Sequence, residues 1–160
     1  MRAFELLDTW PVDNVSAAVI DRNDEIHYHG DESREFRLAS VTKVITAWAV
    51  LIEGDSPVGA VGAKRTYSNT GYELAAAHLT ERSEMEYWQY VDEAVFAPLG
   101  IAASPQSGSA AKDARLDIVN LSLFVAEIRR PRLVSRDTYV EAVTPQFADL
   151  EGIVPGVGRF

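Results

Sequence analysis

Phe36-Arg37-Leu38-Ala39-Ser40-Val41-Thr42-Lys43 opens the stretch on which the fold turns. From Ser40 the chain runs to Ile52 through Val, Ile, Ala, Trp and Leu. That nearly all-round apolar character predicts a helix starting near Ser40 and buried on most sides. Val41, Ile45, Trp48 and Ile52 recur at three- and four-residue spacing and are expected to form one packed stripe. Glu53-Gly54-Asp55-Ser56-Pro57 supplies the glycine and proline that end such a helix. Within it, Ser40 and Lys43 stand about one turn apart, so a hydroxyl and an amine share a face.

Working outward, residues 15–20 read as a short apolar strand, residues 21–24 as a turn, and residues 25–29 as a second strand broken at Gly30-Asp31. This is a β-hairpin that needs a covering helix or further strands. Downstream, residues 57–66 form a Gly/Ala-rich loop, and Ser68 or Asn69 caps a helix to about Thr80 with Leu74, Ala77 and His78 on its spacing. Ser83 and Glu86 have capping-box spacing for a helix through Val95, with Tyr87, Tyr90, Val91 and Val95 facing in and Pro98-Leu99-Gly100 closing it. Residues 102–111 are small and polar, a loop. Asp117 starts a helix through Arg129 with Val119 or Asn120, Leu123, Phe124 and Ile128 inward, and Pro131 stops it. Ser135 caps a last helix before Pro145, and the glycine-rich tail is expected to be irregular. The pattern is α/β in the broad sense, of the α+β kind: a small antiparallel sheet with packed helices, in a single domain over residues 1–160.

The 160 residues are 47% apolar, enough for a core, and carry a formal net charge of -9. A net acidic surface disfavours a nucleic-acid backbone or an anionic membrane as partner. Arg129, Arg130 and Arg132 cluster beside a proline and read as a solvated helix end. Without cysteine, thiolate catalysis, disulfides and cysteine-based metal sites are excluded. His27 and His29 read as paired polar strand residues, not as a metal site, and His78 has no assigned role. Glu5, Asp8 and Asp13 interrupt the start of the chain, which lacks the basic and apolar regions of a signal peptide. No run has the length to cross a bilayer, and the chain reads as cytoplasmic.

A serine hydroxyl is a weak nucleophile at neutral pH, and an amine takes its proton only in the uncharged form, which apolar surroundings favour. A helix start also directs free N–H groups at developing negative charge. By itself the spacing of Ser40 and Lys43 equally suits an N-cap serine and a snorkelling lysine. Tyr67-Ser68-Asn69 adds to it, because alternate residues of an extended loop point into one cleft. Tyr67 has a hydroxyl to relay a proton, and Asn69 both donates and accepts. The plainer reading makes Asn69 a helix cap and Tyr67 half-buried packing.

Together these segments resemble the class C β-lactamase-like serine hydrolases, a group of β-lactamases, D-alanyl-D-alanine carboxypeptidases and esterases. Residues 36–43 look like the family's nucleophile segment, Tyr67-Ser68-Asn69-Thr70-Gly71-Tyr72-Glu73-Leu74 like its tyrosine–asparagine segment, and Phe96-Ala97-Pro98-Leu99-Gly100 like the helix end after it. The resemblance implies a β-lactamase/transpeptidase-like fold, here incomplete. It further implies Ser40 as nucleophile, Lys43 as proton acceptor, Tyr67 as proton shuttle and Asn69 as substrate positioner. The substrate would be a small ester, amide or β-lactam, with no metal or organic cofactor. Three departures accompany it. The connection from Ile52 to Tyr67 is short, no Lys/His-Thr/Ser-Gly triplet occurs, and Arg159-Phe160 is reached before the family's remaining strands. Two functional readings follow. One is a serine hydrolase of weak or absent activity. The other is a noncatalytic remnant or fragment acting through protein association, with a second copy among its candidate partners.

Overall fold

The structure, a computed structural model, describes residues 2–53, 65–146, 148, 152–154 and 158–159. Helix α1 (Arg2–Glu5) and a 3₁₀ turn (Leu7–Thr9) precede the strands β1 (Ser16–Ile20), β2 (Ile26–Gly30) and β3 (Phe36–Arg37). A second 3₁₀ turn (Ala39–Val41) leads into α2 (Thr42–Glu53), and β4 (Arg65–Thr66) into α3 (Asn69–Ser83). Then α4 (Tyr87–Val91) passes through a π-helical turn (Asp92–Phe96) into α5 (Ala97–Leu99). β5 (Arg115–Leu116), α6 (Ile118–Arg129), α7 (Arg136–Val143), β6 (Gly152–Val154) and β7 (Gly158–Arg159) follow. The architecture is α/β, with small antiparallel sheet elements and packed helices, as the sequence predicts. The expected end of α2 at residues 54–57 and the loop through residue 64 lie outside the described residues.

β1 and β2 pair antiparallel, Ser16 opposite Gly30 and Ile20 opposite Ile26. Their turn is built by Asp21, whose Oδ1 accepts the N–H groups of Asn23 (2.8 Å) and Glu25 (3.0 Å). Asp24 sits in the left-handed region at φ 65°, a conformation that short polar side chains tolerate best after glycine. Helix α6 packs along this hairpin, so its last turn ends over the tip. There Arg129 lies 3.2 Å from Asp24 Oδ1 and donates to the Asp21 carbonyl at 3.1 Å, while Arg130 pairs with the other Asp24 oxygen. Of the three arginines expected at a solvated helix end, Arg130 and Arg132 are largely exposed, while Arg129 and Arg130 also clamp the hairpin tip. Each such surface pair contributes about 0–1 kcal/mol. His27 and His29 are each drawn to a carboxylate, Asp21 at 3.7 Å and Asp8 at 2.8 Å, and His29 also stacks on Phe4.

α2 is the central helix. Ile45, Trp48 and Ala49 are buried in it, together with Thr42, Lys43 and Thr46. Val41, expected in the stripe, is 45% exposed. The buried face is rotated because the polar trio finds partners on the neighbouring loop, described below. α3 shows a similar rotation: Ala76 and Leu79 are buried, while Leu74 is 60% exposed. Tyr87, Tyr90, Val91 and Val95 face in as their spacing predicts, against Phe96 and Phe124. Burying a large apolar side chain contributes about 1.5–3 kcal/mol, so this cluster carries most of the favourable side of folding.

Caps define three helices. Ser68, Asp117 and Ser135 accept the N–H groups of Gly71, Asn120 and Thr138, respectively. The expected Ser83–Glu86 capping box does not form. Ser83 is still helical, its hydroxyl donates back to the Leu79 carbonyl at 2.7 Å, and Glu84 turns left-handed at φ 56°. The short strands set the surroundings of Ser40. β3 pairs antiparallel with β5, Phe36 opposite Leu116, and Leu38 donates to the Ala114 carbonyl at 2.8 Å. β4 pairs parallel with β6, and β6 antiparallel with β7, so the tail expected to be irregular contributes strands. Among the described residues no helix is long and apolar enough to cross a membrane.

Gly30 lies at φ +88°, and a Cβ added there would meet the Val15 carbonyl oxygen at 2.1 Å. Gly30→Ala is therefore expected to lower the unfolding free energy by about 2 kcal/mol, seen as a reduced urea midpoint at unchanged slope. Gly100→Ala, where the added atom meets nothing within 4 Å at φ +72°, should lose only about 1 kcal/mol.

Candidate active site

Ser40 lies in the 3₁₀ turn just ahead of α2. Ala39 before it has φ 46°, a left-handed conformation that costs a non-glycine residue about 1–2 kcal/mol. The chain then turns into α2, leaving Ser40 exposed while Lys43, on the next turn, is only 4% exposed. The Tyr67 hydroxyl donates to Ser40 Oγ at 2.6 Å. Lys43 Nζ donates to the same oxygen more loosely, at 3.4 Å, and to the Ala111 carbonyl at 2.9 Å. The amine also lies 4.8 Å from the ring centre of Tyr67 and 5.5 Å from that of Tyr72. Two aromatic rings thus border the amine.

Ser40, Lys43 and Tyr67 are therefore together. Asn69 stands apart from them in contacts: it is exposed, is the first residue of α3, and hydrogen-bonds none of the three. The cap explains the difference. Ser68 is extended and accepts the Gly71 N–H, so Tyr67 precedes the helix and reaches Ser40, whereas Asn69 has entered it.

The Tyr67 phenol is held below its ordinary value, first by the hydrogen bond with Ser40 and then by Lys43. Tyr72 is shifted the other way by burial. Tyr87 is pushed up to about 12, also by burial, and keeps its proton. Its hydroxyl lies 2.7 Å from Thr46 Oγ1, which in turn donates to the Ala110 carbonyl at 2.6 Å. Thr42 Oγ1 accepts the Ala114 N–H at 3.2 Å. The polar side of α2 is thus fastened to residues 110–114, and Lys43 belongs to that fastening. Sequence reasoning missed the Ala111 carbonyl, Tyr72 and the threonines. Thr42, Lys43 and Thr46 on one side of an otherwise apolar helix were a readable signal; the carbonyl, a backbone atom, had none. A cleft of about 600 Å³ between α3, α4 and residues 106–110 is lined by Glu73, Tyr87, Trp88 and Ala110.

No protein-family model matches the sequence, and no curated protein does. Solved structures do. A β-lactamase from Mycobacterium bovis superposes with a TM-score of 0.89 at 31% identity, over 98% of this chain and 71% of its own. SurE with D-Leu gives 0.69 at 17% identity, over 85% of this chain and 55% of its own. A D-amino acid amidase from Ochrobactrum anthropi SV3, complexed with L-phenylalanine amide, gives 0.68 at 15% identity, over 86% and 71%. The last two likenesses concern the fold alone.

On raising the pH, Tyr67 should ionise before Tyr28, Tyr72 and Tyr87, all of which burial shifts upward. Absorbance titration of phenolate checks this. Tyr67→Phe should remove the earliest of these four steps, and Ser40→Ala should move that step to higher pH, since the Ser40 hydrogen bond is its main cause.

Proposed function

The chain belongs to the β-lactamase-like serine-hydrolase family, and on that footing we propose that it forms an acyl-enzyme through Ser40 on an ester, amide or β-lactam carbonyl. The observation that carries this reading is the contact of Ser40 Oγ with both Tyr67 (2.6 Å) and the buried amine of Lys43 (3.4 Å). In the proposed sequence the Ser40 proton passes to the Tyr67 phenolate or to the uncharged Lys43 amine as the Oγ–C bond forms. The same proton then goes to the departing amine or alkoxide as the acyl–leaving-group bond breaks. Water attacks the ester next, giving its proton to the same group, and Ser40 leaves with a proton returned. In the first of these routes Lys43 carries the charge that favours the phenolate; in the second it takes the proton itself. The positive end of α2 lies beside the carbonyl oxygen as it gains charge. Asn69, two residues beyond Tyr67, is the substrate-positioning residue of this scheme.

For these 160 residues taken alone, turnover is expected to be weak. The sequence holds no Lys/His-Thr/Ser-Gly triplet, the family segment that supplies an oxyanion N–H and a basic anchor for a substrate carboxylate. Losing one oxyanion donor lowers rates by about 10²–10³-fold. The competing reading, a noncatalytic protein acting by association, draws on the same gap.

Intact-protein mass spectrometry after exposure to a fluorophosphonate, an activated ester and a β-lactam separates the two. Covalent labelling at Ser40 is expected, absent in Ser40→Ala and slowed about 10²-fold or more in Lys43→Ala and Tyr67→Phe. Label that persists in Ser40→Ala rules out this nucleophile. A folded protein that none of the three probes labels favours the noncatalytic reading.

A further inference from the structure

We propose that Glu73 and Ser109 form a clasp that positions Lys43 through the backbone of Ala111. The catalytic meaning of the clasp rests on the acyl-enzyme reading above; its structural part does not.

The Ser109 hydroxyl donates to Glu73 Oε1 in a very short hydrogen bond. A hydroxyl has one proton, so its oxygen is left to accept, and it accepts the Ala111 N–H at 3.1 Å. The Ser109 carbonyl accepts the N–H of Lys112 at 3.2 Å and that of Asp113 at 3.0 Å. Two consecutive peptide planes are thereby held at both ends. The plane between Ala110 and Ala111 gives its carbonyl to Thr46 and its N–H to Ser109 Oγ. The plane between Ala111 and Lys112 gives its carbonyl to Lys43 Nζ at 2.9 Å and its N–H to the Ser109 carbonyl. A peptide unit is rigid, so the Ser109 hydroxyl fixes the Ala110 carbonyl directly, and the Ala111 carbonyl through the shared Ala111 Cα together with the Ser109 carbonyl.

The turn is tied outward in two directions. Asp113 Oδ2 accepts the Ser109 N–H at 3.0 Å, and Asp113 Oδ1 pairs with Arg37 of β3. The Asp113 carboxyl is held below its ordinary range by the Ser109 amide and then by Arg37. Glu73 supplies the other tie, from α3. It adjoins Tyr72, whose ring lies over the Lys43 amine, and stands one turn beyond Asn69. Glu73 itself is exposed, and among the described residues no hydrogen bond or ion pair joins it to Ser40 or Lys43. It acts through Ser109 and Ala111, as a positioning residue. The clasp makes the distance from Lys43 to Ser40 depend on how α3 sits against residues 109–113.

The chain contains three lysines, Lys43, Lys64 and Lys112, so a protein carrying ¹³Cε-lysine gives a readable spectrum, with Lys43 assigned from Lys43→Arg. In Ser109→Ala and in Glu73→Ala the Lys43 signal should be displaced. In Ser109→Thr, which keeps a hydroxyl, and in Glu73→Gln, which keeps an acceptor, it should stay near its original position. Fluorophosphonate labelling of Ser40 should slow about tenfold in the two alanine variants and recover in the two conservative ones. Circular dichroism reports folding; if Ser109→Ala does not fold, Glu73→Ala, at an exposed position, decides. An unmoved Lys43 signal in folded alanine variants overturns the clasp, whatever the labelling rates. Original protein that takes no label sinks the hydrolase reading instead and leaves the lysine signal to decide the clasp.

Discussion

Thr42, Lys43 and Thr46 put two hydroxyls and an amine inside the protein, on the side of α2 that faces residues 110–114. A buried polar group left without a partner costs about 1–3 kcal/mol, and a charged one more. Residues 110–114 meet that demand with two carbonyls and an N–H. This single requirement dictates much of the surroundings. β5 must run beside β3 for the segment to arrive, and α6 starts directly after it, capped by Asp117. Tyr87 completes the arrangement from α4 by reaching Thr46. The core is therefore not an apolar mass with a site added at its edge. Its central helix is anchored by the same contacts that hold the lysine.

The placement of Ser40 and Lys43 on either side of the protein surface has a chemical logic. Under the acyl-enzyme proposal the nucleophile has to be reachable, and Ser40 is exposed. An amine that exchanges a proton with it works best where water does not compete, and Lys43 is enclosed by a carbonyl and two rings. Tyr67 spans the boundary: its hydroxyl touches the exposed serine while its ring faces the buried amine. The left-handed Ala39 makes the transition within a few residues.

The sequence disclosed elements whose causes are local. Ser68, Asp117 and Ser135 each stand immediately before a helix and cap it, and Tyr87, Tyr90, Val91 and Val95 bury the face their spacing implies. It was less informative where the cause is distant. Periodicity ranks residues by their own hydrophobicity, so it placed Val41 inside and could not foresee that Thr42 and Thr46 would be accepted there by a loop more than sixty residues on. On α3 the alanines are too small to mark a face, and Leu74 misled. At the site, Ser40 and Lys43 were legible from one-turn spacing, and Tyr67 from a motif with recognisable flanks. Asn69 shares that motif and is the first residue of α3, where no hydrogen bond ties it to the other three.

The pairing of β4 with β6 sets Arg65 opposite Gly152 and Thr66 opposite Ile153, immediately ahead of Tyr67. This concerns the history of the molecule as well as its final shape. Helical segments such as α2 assemble from neighbours within a microsecond or so, whereas a parallel strand pair waits for the ends of a long loop to meet. The turn before α2 is local, but the Ala111 carbonyl that holds Lys43 and the strand paired ahead of Tyr67 both come from far along the chain. The two contacts that Ser40 makes therefore each depend on the closing of a long loop.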